Sequence, residues 1–283
     1  MAVKIVIDSA SDISVEEAEK LGVTMIPMVV NFGAEDYLDG VNLLPTQFYE
    51  KLIESDDLPK TSQITPFRFE EEFDKLTANG DEVVAITISS KLSGTYEGAK
   101  QASEKYNGKV FVVDSLSACI GERLLCYYAL KLIEQGKSSK DVKEALDEKK
   151  QKLCVMAMLG TLEYLKKGGR ISKAVAFVGN LLSIKPVVGL VDGEVKMIGK
   201  AMGSKKGNNL LTKLVGEKGG IDFSMPYGTI WSGLERTVLD KYIKDSSALW
   251  ADHVDDVPAY IVGSTIGTHV GPGAVGVAFF ANE

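Results

Sequence analysis

The sequence is poor in the residues that most site chemistry requires. It has two histidines, His253 and His269, in 283 residues. They form no H-x-x-x-H pair and neither lies beside a cysteine, so no metal is expected. The three cysteines, Cys119, Cys126 and Cys154, are an odd, widely spaced set without C-x-x-C. That spacing excludes a disulfide framework and points to a reducing cytoplasm. Cys119 and Cys126 are expected on one helix face as core residues. No apolar run approaches the ~18 residues needed to span a bilayer. The N-terminal Met-Ala-Val-Lys-Ile-Val-Ile-Asp reads as a strand, without a signal peptide's organisation. Positive charge is also short, with 32 Lys+Arg against 39 Asp+Glu and a net charge of −7. Basic runs stop at pairs such as Lys166-Lys167 and Lys205-Lys206, so nucleic acid is not an expected partner. Neither a G-x-x-x-x-G-K-[ST] loop nor a kinase glycine loop occurs.

What is present is an ordinary globular composition, 45% hydrophobic and 25% charged. The length suits one large or two modest domains. Residues 3–8 read as a buried strand. Ser14 with Glu17 is a capping box that opens a helix closed by Gly22. Residues 23–32 read as a second strand, turned by Gly33 into a short hairpin towards Tyr37. Helices are expected over 47–54 and from Pro66 to Gly80, with 59–63 as an extended polar connection between them. Strands over 83–89 and 110–114 alternate with helices over 96–106 and 118–135, the pattern of a parallel sheet with helical crossovers.

A charged helix over 138–152 is read as a connector, giving domains 1–152 and 153–283. In the second half, strands at 153–159, 187–191 and 194–198 surround a Gly-rich corner at 166–171 and an apolar helix at 174–182. Asp192-Gly193 is the strongest hairpin signal in the chain. Helices at 205–217 and 234–246 and strands at 229–232, 259–262 and 274–280 complete it. The expected fold class is α/β in two domains. The first is a three-layer α/β/α unit with a mostly parallel sheet; the second is a two-layer unit with a mixed sheet.

Several motifs fail on context. Gly271-Pro-Gly273-Ala-Val-Gly276 matches G-x-G-x-x-G, but only seven residues follow it and they read as a strand. Asp8 lacks the partner acid of an aspartyl-phosphate site, since Ala10 stands two residues on, so Asp8 and Asp12 read as turn and cap residues. A hydrolase or small-molecule phosphotransferase using Ser93, His269 and Asp8 is the alternative function, although Leu92-Ser93-Gly94 is not a G-x-S-x-G elbow. Small hydroxyl residues gather where parallel strands end: Asp8-Ser9, Ser89-Ser90, Ser93-Gly94-Thr95 and Asp114-Ser115. Ligands bind outside the carboxyl ends of such strands, and Ser93-Gly94-Thr95 opens a helix whose dipole favours an anion. With Thr61-Ser62, these groups describe a neutral, hydrogen-bonding anion pocket.

At these residues the chain resembles the DegV family, the fatty-acid-binding proteins that include the FakB subunits of bacterial fatty acid kinase. In order, the matching pieces begin with Ile7-Asp8-Ser9-Ala10-Ser11-Asp12, Lys60-Thr61-Ser62-Gln63 with Pro66, and Ile88 to Tyr96. Asp114-Ser115, Leu162 to Ile171, Lys185-Pro186 and His269-Val270-Gly271-Pro272-Gly273 follow. Ala10, where the family often has Thr or Ser, and Ile64-Thr65 before Pro66 depart from the pattern. The resemblance implies a long-chain fatty acid between the domains. Its carboxylate is expected at Thr61, Ser62 and Ser93, with support from the Gly94 amide and with His269 near the head group. Arg170 and Ser9 are expected to touch the head group or a partner. Ile26, Met28, Phe177, Leu181 and Ile184 are candidate tunnel walls. The implied role is a non-catalytic lipid-binding subunit without a cofactor. It would present the acid to a separate ATP-dependent kinase for acyl-phosphate formation in phospholipid metabolism, with transient contact at a membrane surface. Burying ~14 methylenes at ~0.8 kcal/mol each is on the order of 11 kcal/mol gross.

Overall fold

The computed structural model describes residues 2–171 and 184–282. The expected helix over 174–182, with Phe177 and Leu181, lies outside the described residues. β1 (Val3–Asp8) is the centre of a four-stranded parallel sheet with β2 (Thr24–Ile26), β6 (Glu82–Thr87) and β7 (Val110–Asp114), in the order β2-β1-β6-β7. Two of its three crossovers are single helices: α1 (Val15–Leu21) between β1 and β2, and α4 (Thr95–Ser103) between β6 and β7. Ser14 caps α1 by accepting the Glu17 N–H, and Gly22 closes it in the left-handed region at φ 67°.

The period of two along the strands sorts the core into faces. Ile5, Ile7, Val84 and Ile86 pack against α5 (Ile120–Glu134) and α6 (Ser139–Lys149). Val6, Val83 and Ala85 pack against α4 and α3 (Pro66–Thr77), where Phe69 and Phe73 fill the space. This half is therefore the three-layer unit that the alternation of elements predicts.

The expected strand over 23–32 is two strands. Pro27 cannot donate to a ladder, and the chain leaves the parallel sheet there. After it, β3 (Val29–Phe32) pairs antiparallel with β4 (Glu35–Leu38) and with β5 (Lys60–Ser62) in a separate three-stranded sheet. The segment expected as an extended connection is thus a strand. α2 (Pro45–Glu54) packs its Phe48 and Tyr49 with Val30 and Phe32 of this small sheet.

The third sheet has six strands in the order β10-β9-β8-β13-β11-β12. They are β8 (Leu153–Met158), β9 (Ile184–Val191), β10 (Glu194–Met202), β11 (Tyr227–Trp231), β12 (Ala259–Ile261) and β13 (Val275–Phe280). All its pairings are antiparallel except β11 with β12. Asp192 and Gly193, both at positive φ (53° and 80°), turn β9 into β10 as the Asp-Gly signal requires. Met156, Met158, Val275, Val277 and Phe279 face α8 (Ser204–Glu217) and α9 (Thr237–Asp245). The alternate residues face α5, where Ala278, Phe280 and Ile230 join the core of the parallel sheet.

Two short helices have no counterpart in the sequence reading: α7 (Glu163–Lys167), just before the Gly-rich corner, and α10 (Ser264–Val270). α10 packs against α2, β3 and β5, elements distant in sequence. Contacts therefore cross the expected boundary at residue 152 in both directions, through α5 and through α10.

Candidate functional site

Thr61 and Ser62 are neighbours on β5, so their side chains face opposite ways. Thr61 faces inward, and its Oγ1 lies 2.9 Å from His269 Nε2. Ser62 is exposed, and its hydroxyl donates to Asn31 Oδ1 at 3.2 Å. The structure brings Thr61 to the site and turns Ser62 away from it.

His269 sits in the last turn of α10. Burial, with a smaller push from the Arg170 guanidinium, lowers its pKa to about 4, so the ring is neutral at pH 7. Its Nδ1 is buried with no partner among the described residues and lies against Gly168, where a Cβ would collide with it. A buried N–H without an acceptor is rarer than an acceptor without a donor, which assigns the proton to Nε2. Nε2–H then donates to Thr61 Oγ1, and the Thr61 proton is left for a ligand.

A second hydroxyl is prepared the same way. The Ile64 N–H donates to Thr95 Oγ1 at 3.2 Å. Ser93 Oγ accepts the Thr95 N–H at 3.3 Å and pairs with Thr95 Oγ1 at 2.9 Å. When Thr95 donates to Ser93, the Ser93 proton points outward. Gly94 is the N-cap of α4 beside it, with the Gln63 side chain laid over its Cα. Arg170 is held by two carbonyls: Nε donates to Leu92 O at 3.1 Å and a terminal nitrogen to Gly168 O at 2.7 Å. Its charge corrects the expectation of a neutral pocket, since the guanidinium lines the same cavity as the hydroxyls.

That cavity has a volume of 240 Å³ and is lined by Thr61, Gln63, Ser93, Gly94, Arg170 and His269 together with a larger apolar set. Val155, Ala157 and Leu159 on and just beyond β8, Val188 and Leu190 on β9, and Ile230 on β11 form its floor. Met28, Ile88 and Leu92 from the first half and Ile266 from α10 lie over it. At the tip of the β9–β10 hairpin, Ser89 Oγ donates to Gly193 O at 2.8 Å, tying this floor to the carboxyl end of β6.

Of the expected wall residues, Met28 lines the cavity, whereas Ile26 is packed in the core beside α3 and Ile184 is absent from the lining. Ser9 is also absent from it. It is buried, and its Oγ accepts the Met28 N–H at 3.0 Å, fixing the chain after Pro27. Cys119 and Cys126 share one buried core cluster as expected, but Cys119 stands at the helix start and not within the helix. It is the N-cap of α5 at φ 57°, lines the cavity and donates its thiol to Asp12 Oδ2 at 2.8 Å. Nothing in the sequence marks that placement, whereas Gln63 stands beside Thr61-Ser62 in a motif already singled out.

The alternative triad is not assembled. Ser93 bonds Thr95, His269 bonds Thr61, and Asp8 accepts the N–H groups of Ala10 and Ile88 at 2.9 and 2.8 Å. Among the described residues, no group of three or more His, Cys, Asp or Glu side chains is arranged to hold a metal ion. No helix among them is long and apolar enough to cross a membrane.

The sequence model described as "Uncharacterised protein, DegV family" matches residues 2–282. The chain belongs to the DegV family. A DegV domain-containing protein of Caldanaerobacter subterraneus is 31% identical over 281 residues, 98% of each chain. Among solved structures, a DegV family protein from Thermus thermophilus, described by its fatty acid binding, superposes with a TM-score of 0.89 at 31% identity, covering 100% of both chains. DegV from Bacillus subtilis, described as a fatty acid binding protein, gives 0.84 at 30% identity over 98% of each. These DegV relatives share the whole fold, not a fragment of it.

Proposed function

We propose that this DegV protein binds a long-chain fatty acid in the cavity between its two halves. The observation that carries the reading is the cavity's composition: an apolar floor and roof end at Thr61, Ser93 and Arg170 beside a neutral imidazole. The two hydroxyl protons and the guanidinium suit a carboxylate, and the α4 N-terminus adds a favourable dipole. The apolar walls suit a chain whose burial supplies most of the affinity. The fatty acid binding named for the Thermus and Bacillus relatives supports the same reading.

The finer role follows from the chemistry at the head group. Among the described residues no base is placed to take the Ser93 proton, and no phosphate loop occurs in the sequence. These features support reading the protein as a carrier that presents the carboxylate to a separate ATP-dependent kinase, with no cofactor of its own. Lipid exchange at a membrane surface would load and empty it.

The test is organic extraction of freshly purified protein followed by mass spectrometry. A near-stoichiometric long-chain fatty acid is the expected result. An extract without lipid, from protein that also fails to take up oleate or palmitate, refutes the reading. Tight ATP binding by the isolated protein in calorimetry would refute the carrier role.

A further inference from the structure

α10 carries His269, yet its start is fixed by carboxylates from the far end of the chain. A helix leaves its first N–H groups without intrahelical acceptors, and a side chain at the N-cap usually supplies one. Here the N-cap is Gly263, which has no side chain. Asp12 Oδ1 accepts the Gly263 N–H at 2.9 Å, from 251 residues away. Asp39 Oδ1 accepts the Ser264 N–H at 3.1 Å, from 225 residues away, and also the Ser264 hydroxyl. Tyr49 adds a bond from its hydroxyl to Val262 O at 3.1 Å. A Cβ at Gly263 would stand 2.7 Å from Asp12 Oδ1, so a glycine there is what lets the Asp12 carboxylate in.

Asp39 is 3% exposed and Ser264 is fully buried, whereas Asp12 is half-buried. Burying a carboxylate is costly unless it is well bonded, so two at one helix start need a return. His269 supplies one. It lies five residues beyond Ser264, about 7.5 Å along the axis of a helix too short to bend. A shift at the first turn moves the imidazole off Thr61 directly. Asp12 also accepts the thiol of Cys119, a cavity wall residue, so one carboxylate braces both the wall and the helix.

We propose that Asp12 and Asp39 are positioning residues of the binding site, setting the start of α10 and with it the Thr61–His269 hydrogen bond. Their effect on affinity rests on the fatty-acid reading; their effect on His269 does not.

The chain has two histidines, so selective 15N labelling gives two ring signals, with His253 as internal reference. In lipid-free wild type, His269 is expected as the Nε2–H tautomer with a midpoint of about 4. In Asp39→Ala and Asp12→Ala the midpoint is expected to rise by about one unit or more and the tautomers to mix, with His253 unmoved. Asp39→Asn keeps an acceptor for the Ser264 N–H and is expected to restore the wild-type signal. Ser264→Ala removes only the hydroxyl donor and is expected to give a smaller shift, which keeps the test open if an alanine variant fails to fold. Unchanged His269 signals in folded Asp39→Ala or Ser264→Ala overturn the proposal. Palmitate affinity of Asp39→Ala is expected to fall about tenfold. Affinity unchanged beside a moved His269 signal overturns the link to the ligand, whereas a wild type that binds no palmitate refutes the fatty-acid reading instead.

Discussion

Replacing Ser93 with alanine tests the head group at its most prepared atom. The Ile64 N–H donates to Thr95 Oγ1, the Thr95 N–H donates to Ser93 Oγ, and the two hydroxyls pair with each other. With Thr95 as the donor of that pair, Ser93 Oγ accepts twice within the protein and its proton is free for a carboxylate. A hydrogen bond to a charged group contributes about 1.5–3 kcal/mol net. Its loss weakens binding by roughly 10- to 150-fold. The cost to the fold is separate: the α4 N-terminus loses one side-chain acceptor, worth about 1 kcal/mol. Calorimetric titration of delipidated wild type and Ser93→Ala with oleate and palmitate reads the first quantity, and urea unfolding reads the second. A folded Ser93→Ala protein that binds within twofold of wild type refutes the reasoning. A serine-directed phosphonate offers a second check. It should leave Ser93 unlabelled, because the one imidazole in the cavity lining bonds Thr61 instead. Stoichiometric labelling would bring back the hydrolase reading.

Ser62→Ala should change oleate affinity less than twofold, since that hydroxyl faces Asn31 and solvent; a loss matching Ser93→Ala would place the carboxylate on the outer side of β5. His269 should make stability pH-dependent. Its folded pKa of about 4 lies below the ordinary 6.5, so the unfolded chain binds more protons between those values and stability falls as pH drops through that window. Wild type should lose about 3 kcal/mol more than His269→Gln between pH 7 and pH 4, and parallel urea-unfolding curves for the two would show that the imidazole is not depressed. Lengthening a saturated acid should tighten binding by about fourfold per methylene until the cavity ends. Ala157→Leu, on the floor, should end that series at a shorter chain, and an unaltered series would remove Ala157 from the tail's path.

The parallel sheet and its crossovers were legible because each strand is a short apolar run and α1 carries its own caps, Ser14 and Gly22. Asp192-Gly193 was legible because both of its residues must take positive φ. The site was legible as residue types but not as directions. Thr61 and Ser62 look equivalent in a string. Only the pairing of Thr61 with Val30 on β3 makes the segment a strand, and only the strand decides which hydroxyl turns inward. Ile26 and Met28 look like one face of one strand, yet Pro27 separates them: Ile26 ends β2, and Met28 lies outside both β2 and β3. α10 left no periodic signal because it is covered on several sides: Ser264, Thr265, Gly267 and Thr268 are all buried. Its caps were invisible for a simpler reason, since they stand more than 200 residues away.

The placement of His269 bears on the choice between holding the carboxylate and transforming it. A general base needs a nitrogen lone pair within reach of the proton it takes. In His269 that lone pair is on Nδ1, buried against Gly168, while Nε2 is spent on Thr61. A pKa of about 4 further weakens the ring as a base at neutral pH. The imidazole can orient the Thr61 proton but cannot collect the one on Ser93. Asp8, the other candidate, has both carboxyl oxygens filled by backbone N–H groups, and burial raises its pKa to about 7. A carboxylate held by Thr61, Ser93 and Arg170 would thus be oriented by three donors and attacked by none. On the proposed carrier reading, chemistry on it would come from a second protein with access to the head-group end of the cavity, so the test of a partner should use lipid-loaded protein.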